Sequence, residues 1–218
     1  MIITEGLWAH NLLVEHDVFI DTFLWCPEAA YADEARKRAV ELAPRAHLAY
    51  QVSERTLARI SERDKPDGLF SIAQLPTWEP QDVQLGESSL IMVADGMKIP
   101  GNLGTLIRTL DAAGADCLVL TNRRTRLTHP KVFRASQGMI LTMPVVDFER
   151  TEDAIAWLQP NKVNVYLADT DDAKSYRSFD YSLTRTSFVL GSERYGIPKP
   201  WYKMGCERVF IPMLGSAD

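Results

Sequence analysis

The 218-residue sequence contains no long apolar segment and no stretch with the composition of a leader peptide. No uninterrupted apolar run approaches the roughly 20 residues that a membrane-spanning helix needs. The chain begins MIITEGLWAHNLLVEHD, without the basic residues that open a signal peptide. We therefore expect neither a transmembrane segment nor a secretory signal. With 46% hydrophobic and 24% charged residues, the composition excludes collagen-like, low-complexity and disordered chains.

Cysteine and histidine are scarce and scattered. The three cysteines, Cys26, Cys117 and Cys206, lie far apart in apolar surroundings. Their spacing fits neither a disulfide framework nor a set of metal ligands, so we predict reduced core cysteines in a cytoplasmic protein. The four histidines are His10, His16, His47 and His129. Because they are spread along the chain, we predict no metal site.

Three common catalytic and nucleotide-binding motifs are also absent. The sequence has neither the G-x-x-x-x-G-K-[ST] phosphate loop nor the G-x-G-x-x-G dinucleotide fingerprint. It has no G-x-S-x-G nucleophile elbow either. The sequence therefore supports neither a nucleoside triphosphatase, nor an ordinary Rossmann cofactor site, nor a serine hydrolase.

Charge is distributed unevenly along the chain. The formal net charge of −5, from 24 basic and 29 acidic residues, argues by itself against a nucleic-acid partner. Between Asp116 and Asp147, however, five basic residues and no acidic one give +5, which leaves −10 for the rest of the chain. The basic residues are Arg123, Arg124, Arg126, Lys131 and Arg134. This run is either a solvated loop or a phosphate-binding patch, and its position in the fold must decide between them.

The pattern of apolar residues divides the chain into two regions. Residues 1–80 mix helical and strand patterns, including a helix at 54–63 for which Ser53 is the expected N-cap. The stretch around Pro76, Pro80 and Gly86 lacks periodicity, and we place a linker at residues 81–87. We therefore predict a small N-terminal domain at 1–80 and a second domain at 88–218.

From Ser88 onward, apolar runs typical of buried strands alternate with helical segments. The predicted strands are 90–94, 117–120, 140–146, 163–168, 188–190 and 209–211. The predicted helices are 102–113, 131–136 and 152–158. This alternation predicts an α/β fold with a mostly parallel sheet and helices on both faces.

Three glycine-containing loops, at 95–104, 191–198 and 211–216, follow strands of this sheet. An open α/β sheet binds its ligand at the carboxyl ends of its strands, and glycine lets backbone amides approach a ligand closely. Taken singly, each loop is no more than a turn. Arg108 lies in the helix after the first loop, and taken without a further motif it is best interpreted as a helix residue that pairs with an acid.

Four short motifs occur in and between these loops. The first motif, Asn-x-Gly-x-x-x-Arg, consists of Asn102, Gly104 and Arg108. The second, Gly-Ser-Glu-x-x-Gly, consists of Gly191, Ser192, Glu193 and Gly196, and the third, Ile-Pro-Met, of Ile211, Pro212 and Met213. Between the first and the second lies Arg-x-Ser-x-Gly, formed by Arg134, Ser136 and Gly138. In this order and at this spacing, they resemble the SpoU/TrmH-type family of the SPOUT superfamily. Members of that family are RNA ribose 2′-O-methyltransferases that use S-adenosylmethionine.

The resemblance implies a trefoil-knotted methyltransferase domain, a homodimer and the site residues. It assigns catalysis to Arg108, Asn102 and Glu193, with Arg108 as the catalytic arginine. It assigns the cofactor to Leu190, Gly191, Ser192, Glu193, Gly196, Ile211, Pro212 and Met213. Residues 1–80 resemble more loosely the small ribosomal-protein-like domain that binds RNA in many members, which favours ribosomal over transfer RNA. We predict that Arg123, Arg124, Arg126 and Arg134 contact RNA phosphate.

The end of the chain departs from the family pattern. Beyond Ile-Pro-Met, family members continue into Ser-Leu-Asn and a final helix, whereas this chain stops at Asp218. The sequence is either truncated or that of a degenerate member, and the intact Asn102, Arg108 and Glu193 favour truncation. Two other functions stay open: a non-catalytic RNA-binding or ribosome-assembly protein that retains the fold, and a domain that binds another small ligand.

Overall fold

The computed structural model describes residues 1–182, 184–213 and 215. The chain forms two compact units, the first made of Met1–Pro76 and Leu127–Thr142, the second of Thr77–Arg126 and Met143–Asp218. In chain order the elements are β1 (Ile2–Glu5), α1 (Gly6–Glu15), β2 (Ile20–Trp25), α2 (Asp33–Leu42), β3 (Leu48–Gln51), α3 (Glu54–Ile60), β4 (Leu69–Ala73), β5 (Leu90–Asp95), α4 (Pro100–Ala112), β6 (Cys117–Thr121), α5 (Pro130–Ala135), β7 (Val145–Phe148), α6 (Thr151–Leu158), β8 (Asn164–Ala168), β9 (Lys174–Ser175), β10 (Thr186–Leu190), α7 (Lys199–Tyr202) and β11 (Glu207–Phe210).

The first unit is built on a four-stranded mixed sheet in the order β1-β4-β2-β3. Strand β4 pairs antiparallel with both β1 and β2, and β3 pairs parallel with β2. Helix α3 begins where the sequence predicts, because the Ser53 hydroxyl accepts a hydrogen bond from the backbone N–H of Thr56 at 3.3 Å. Inside this unit His10 is fully buried, and burial lowers its pKa to about 4.

Residues 127–142 pack with the N-terminal segment in the first unit. The rings of Trp8 in α1 and Phe133 in α5 have centroids 5.7 Å apart. Gly138 has φ +79°, and a Cβ there would lie 2.3 Å from Cδ1 of Leu12. The left-handed backbone therefore favours glycine at this position of the Arg-x-Ser-x-Gly segment.

The predicted strand at 140–146 is wrong in its first half. Residues Met139–Leu141 form a 3₁₀ helix, and β7 begins only at Val145. The apolar run suggested a strand, but Ile140 and Leu141 are buried as part of a turn that follows the left-handed Gly138. Pro144 then separates the turn from β7, because proline has no N–H to donate to a strand ladder.

The second unit contains a seven-stranded sheet in the order β7-β6-β5-β10-β8-β11-β9. Within the described residues, every pairing between neighbouring strands of this sheet is parallel. Ile91, Val119, Leu167 and Val189 are completely buried in its core, each contributing about 1.5–3 kcal/mol of hydrophobic stabilisation. The predicted α/β fold with a mostly parallel sheet is confirmed.

The segment between β4 and β5 has almost no regular structure. Within the described residues 77–89, an isolated bridge between Trp78 and Val146 is the sole sheet pairing. Trp78, Val83 and Leu85 are partly buried against the core of the second unit. The division into domains at 1–80 and 88–218 remains a prediction, and the sequence did not indicate that residues 127–142 pack with the N-terminal segment.

Candidate active site

A cavity of the second unit lies at the carboxyl ends of β5, β6 and β10, which are neighbours in the sheet. Its volume is about 610 Å³, within the range of about 300–1,000 Å³ typical of small-molecule sites. Asp95 at the end of β5 lines it together with residues of the loops that follow these three strands, among them Gly96, Lys98, Asn122, Arg124, Ser192, Glu193, Arg194, Tyr195 and Gly196. The cavity therefore stands where a parallel sheet places its ligand.

Asp95, the last residue of β5, forms a buried polar centre at the base of the cavity. Its side chain is only 2% exposed. One carboxylate oxygen accepts a hydrogen bond from Asn122 Nδ2 at 2.9 Å. The other accepts from Thr151 Oγ1 at 2.7 Å and from Trp201 Nε1 at 2.8 Å. The carboxylate thus joins β5 to the loop after β6 and to helices α6 and α7.

Backbone hydrogen bonds hold the loops after β5 and β6 together. The N–H of Gly96 donates to the carbonyl of Thr121 at 2.9 Å, and the N–H of Arg124 donates to that of Met97 at 3.0 Å. Gly96 has φ +80°, and a Cβ there would lie 3.2 Å from Cβ of Ser192. These contacts fix the backbone from which Lys98 and Arg124 project toward the cavity.

The loop after β10 forms a tight hairpin. The N–H of Ser192 donates to the carbonyl of Gly196 at 3.1 Å, and the reverse bond measures 2.9 Å. The Ser192 hydroxyl also accepts from the N–H of Tyr195 at 3.1 Å. A Cβ on Gly191 would lie 2.1 Å from the carbonyl carbon of Gly196. Only glycine fits at position 191, because backbone atoms block the space that a side chain needs.

The structure brings two of the three predicted catalytic residues into contact. Asn102 in α4 donates from Nδ2 to Glu193 Oε1 at 3.0 Å, which links the first motif to the second. Arg108 is exposed on the same helix, six residues after Asn102. Ser192, Glu193 and Gly196 line the cavity. Leu190 is the last residue of β10, and Gly191 allows the close backbone contact with Gly196 in the hairpin.

The third motif is not joined to the cavity by the described residues. Ile211 and Met213 are 73% and 64% exposed, and neither they nor Pro212 are among the described residues that line it. The described residues do not include Leu214 and 216–218. Part of the predicted third loop and the expected point of truncation therefore lie outside the described residues. The assignment of Ile211, Pro212 and Met213 to the cofactor stays a prediction.

The four predicted RNA-contacting arginines have different surroundings. Arg123 donates from Nε to Asp147 at 2.5 Å. Within the first unit, Arg134 donates to Glu62 at 2.6 Å, and this bond lowers the pKa of Glu62. Arg124 is exposed and lines the cavity, and Arg126 is exposed two residues later. Carboxylates from distant parts of the chain thus offset part of the local +5 charge.

The sequence did not indicate the polar network around Asp95. Its members, Asn122, Thr151 and Trp201, lie 27, 56 and 106 residues from Asp95 along the chain. One available signal was the position of Asp95 directly after an apolar strand.

Among the described residues, no group of three or more histidine, cysteine or acidic side chains is arranged to hold a metal ion. No helix among those residues is long and apolar enough to cross a membrane.

Replacing Asp95 by alanine is expected to lower the free energy of unfolding by about 2–4 kcal/mol, because three donors, two of them on the buried residues Thr151 and Trp201, lose their acceptor. Urea denaturation of the variant measures this loss. Asp111→Ala, at an exposed position on α4, is the matched control and should change the stability by less than about 0.5 kcal/mol. Equal free energies of unfolding for the two variants would show that the hydrogen bonds of Asp95 do not stabilise the site.

Comparison with known proteins places these features in a family. Residues 89–218 match the model of the SpoU rRNA Methylase family. The chain is 26% identical over 222 residues to a 23S rRNA (uridine(2479)-2′-O)-methyltransferase of Streptomyces viridochromogenes, covering 98% of this chain and 75% of that protein. It is 25% identical over 169 residues to the 23S rRNA (guanosine(2553)-2′-O)-methyltransferase RlmP of Bacillus subtilis, covering 78% of this chain and 65% of the relative.

A solved structure is similar over the whole chain. The crystal structure of an AdoMet-bound rRNA methyltransferase from Sinorhizobium meliloti superposes with a TM-score of 0.87 at 27% identity. The match covers 100% of this chain and 80% of that protein. The similarity therefore includes the N-terminal region as well as residues 89–218.

Proposed function

The chain belongs to the SpoU rRNA Methylase family, and from this we propose that it transfers a methyl group from S-adenosylmethionine to a ribose 2′-hydroxyl of ribosomal RNA. The observation that carries the proposal is the hydrogen bond between Asn102 and Glu193 beside the cavity. It unites the first and second family motifs at the ligand-binding edge of the sheet. The names of the Streptomyces and Bacillus relatives support ribosomal RNA as the substrate class.

The residues of the cavity fit S-adenosylmethionine in size and charge. The volume of about 610 Å³ lies in the small-molecule range. Glu193 and Asn102 offer the acceptor and donor atoms that a ribose diol requires. Lys98 and Arg194 line the same space and would attract a carboxylate. When bound, the cofactor supplies an electrophilic methyl group, and the close approach of Gly96 to Ser192 shapes the wall against which it would lie.

The chain's own contribution to methyl transfer is positioning and electrostatic stabilisation. A ribose hydroxyl must lose its proton, here to solvent water, as the new bond forms. A guanidinium offers hydrogen-bond donors and no acceptor, so Arg108 is unsuited to act as a base. We assign it the stabilisation of negative charge that develops on the ribose oxygen. Asn102, held by Glu193, fixes the start of the helix that carries Arg108.

Arg124 and Arg126 are the proposed contacts to RNA phosphate. Both are exposed, whereas Arg123 and Arg134 are held in ion pairs. Arg124, which lines the cavity, and Arg126 thus function as a phosphate-binding patch of the second unit rather than as part of a solvated loop. The assembly is a homodimer, as the family resemblance implies, and the exposed Ile211 and Met213 are apolar side chains that a second copy would cover.

Ribosomal RNA as substrate and three free cysteines support a cytoplasmic location.

The double substitution of Arg124 and Arg126 by alanine is expected to weaken RNA binding and flatten its salt dependence. Each lost phosphate contact should reduce the slope of log K against log salt by about 0.7–0.9. Filter binding of ribosomal RNA fragments at several salt concentrations measures both quantities. Arg150→Ala, at an exposed position in the same unit, should leave affinity and slope unchanged. An unaltered slope in the double variant would remove these arginines from the RNA interface.

Titration of the protein with S-adenosylmethionine by calorimetry tests the proposed function. We expect saturable binding at one site per chain. RNA binding without any cofactor binding would contradict the proposal and favour a non-catalytic RNA-binding or ribosome-assembly protein. Absence of both would favour a domain that binds another small ligand.

A further inference from the structure

A second cavity, of about 300 Å³, lies entirely within the first unit. It is bounded by β1, the beginning of α1 and helix α5. Its lining includes apolar and aromatic side chains, here called the aromatic wall, and charged and amide side chains, here called the polar wall. Nothing in the proposed methyl transfer uses this cavity.

The aromatic wall is formed by Trp8 and Phe133. The Trp8 side chain is 43% exposed, although its ring lies 5.7 Å from that of buried Phe133 at an angle of 55°. The neighbouring Ile3 is 39% exposed. Phe133 therefore supports the indole from one side, while the cavity leaves part of the indole accessible. An indole held in this way offers a flat surface on which a planar ligand can stack.

The polar wall presents a carboxylate and a guanidinium that are both held in position. Glu5 accepts hydrogen bonds from Ser61 Oγ at 2.5 Å and from the N–H of Glu62 at 3.2 Å. Arg134 is bonded to Glu62 at 2.6 Å. Gln137 donates from Nε2 to the carbonyl of Arg134 at 3.3 Å. Each group retains hydrogen-bonding capacity beyond these contacts.

The charges of this wall favour a base over a phosphate. Arg63 and Arg134 supply two positive charges, but Arg63 pairs with Asp67 and Arg134 with Glu62. With Glu5, the carboxylates outnumber the guanidinium groups, so a phosphate gains little here. A neutral, planar ligand that has both donors and acceptors suits the cavity better.

Among nucleobases, guanine has this combination. Its N1–H and 2-amino donors complement a carboxylate, and its O6 and N7 acceptors complement an arginine. Unpaired RNA bases are commonly stacked on aromatic side chains and bound through their edges. Adenine has no N1–H donor to offer Glu5.

We propose that this cavity binds a guanine base from an unpaired segment of the RNA substrate. Trp8 provides the stacking surface, Glu5 binds the N1–H and 2-amino edge, and Arg134 binds the O6 and N7 edge. The proposal rests on the proposed function, because that function supplies the RNA. It gives Arg134 a base contact in place of the phosphate contact predicted from the sequence.

Fluorescence anisotropy with the full chain and labelled five-nucleotide RNAs tests the proposal. The probes are UUGUU, UUAUU and a UUGUU analogue with inosine at the centre, which lacks the 2-amino donor. We expect the wild type to bind UUGUU about tenfold more tightly than UUAUU, with the inosine probe between them. Trp8→Ala should weaken UUGUU binding about tenfold through lost stacking. Glu5→Gln should reduce the preference for guanine over adenine to about twofold or less.

Two controls separate binding from folding. Phe19→Ala removes an exposed aromatic side chain of the same unit that does not line the cavity, and it should bind all probes like the wild type. Trp8→Phe retains an aromatic surface and should keep most of the affinity. Because the inosine probe changes the RNA alone, it tests the Glu5 contact even where a variant fails to fold.

Equal wild-type affinities for UUGUU and UUAUU would overturn the proposal and leave the cavity to a protein partner or to no ligand. A guanine preference that persists in both Trp8→Ala and Glu5→Gln would also overturn it. Titration of the same proteins with S-adenosylmethionine distinguishes this failure from failure of the proposed function. Cofactor binding without guanine preference contradicts the guanine site alone, and guanine preference without cofactor binding contradicts the methyltransferase function alone.

Discussion

Arg108→Ala is expected to reduce the rate of methyl transfer by about 100-fold to 1,000-fold while S-adenosylmethionine binds almost as in the wild type. The magnitude is that of removing one preorganised group that stabilises developing charge. Arg108 is exposed on α4 and is not among the described residues that line the cavity, so its loss should spare the cofactor. Single-turnover transfer of a labelled methyl group to RNA gives the rate, and calorimetry gives the cofactor affinity.

Two further variants make this result specific to the guanidinium. Arg108→Lys keeps the charge but loses the planar fork of donors, and it should recover only part of the rate. Arg150→Ala removes an arginine from an exposed position elsewhere in the unit and should retain full activity. If Arg108→Ala kept the wild-type rate, Arg108 would be an ordinary helix residue, as its local sequence alone also allows.

Gly191→Ala should abolish detectable S-adenosylmethionine binding. The new Cβ would lie 2.1 Å from the carbonyl carbon of Gly196 and 2.4 Å from the nitrogen of Ile197. These are backbone atoms, so the Ser192–Gly196 hairpin must open to accommodate the alanine side chain. We expect the free energy of unfolding to fall by about 1–3 kcal/mol as well, the usual cost of overpacking. Calorimetric titration and urea denaturation measure the two effects.

Gly101→Ala is the matched control for this substitution. A Cβ at Gly101 has no neighbour within 4 Å among the described residues outside its own helix and flanking positions, and its backbone is not left-handed. The variant should bind the cofactor normally and change the stability by no more than about 1 kcal/mol. Normal cofactor binding by Gly191→Ala would show that the hairpin does not form the cofactor site.

Local patterns predicted the sheet of the second unit well, because buried parallel strands appear as short apolar runs between helices. The predicted strands at 90–94 and 117–120 correspond to β5 and β6. The same criterion failed at 140–146, where the apolar residues pack inside a 3₁₀ turn. It also gave no sign that residues 127–142 pack with the N-terminal segment, because that grouping depends on contacts such as Trp8 with Phe133.

The candidate site was predicted where its residues form a local motif. Asn102 and Glu193 are 91 positions apart; the family resemblance assigned both to one site, and the structure added their hydrogen bond. Trp201 and Asp95 belong to no such motif, so their hydrogen bond appeared only in the structure. The charge of the basic run was misleading about RNA contacts for a similar reason. Arg123 and Arg134 looked available in the sequence, but their partners Asp147 and Glu62 lie outside the basic run.

Mass mapping of ribose methylation in cellular RNA, with and without this protein, tests the central claim most directly. The account predicts that at least one 2′-O-methylated nucleotide of ribosomal RNA disappears when the protein is absent. The methylation should return with the wild-type chain and not with Arg108→Ala. An identical set of ribose methylations in both RNA samples would contradict the assignment of this protein as a ribosomal RNA 2′-O-methyltransferase.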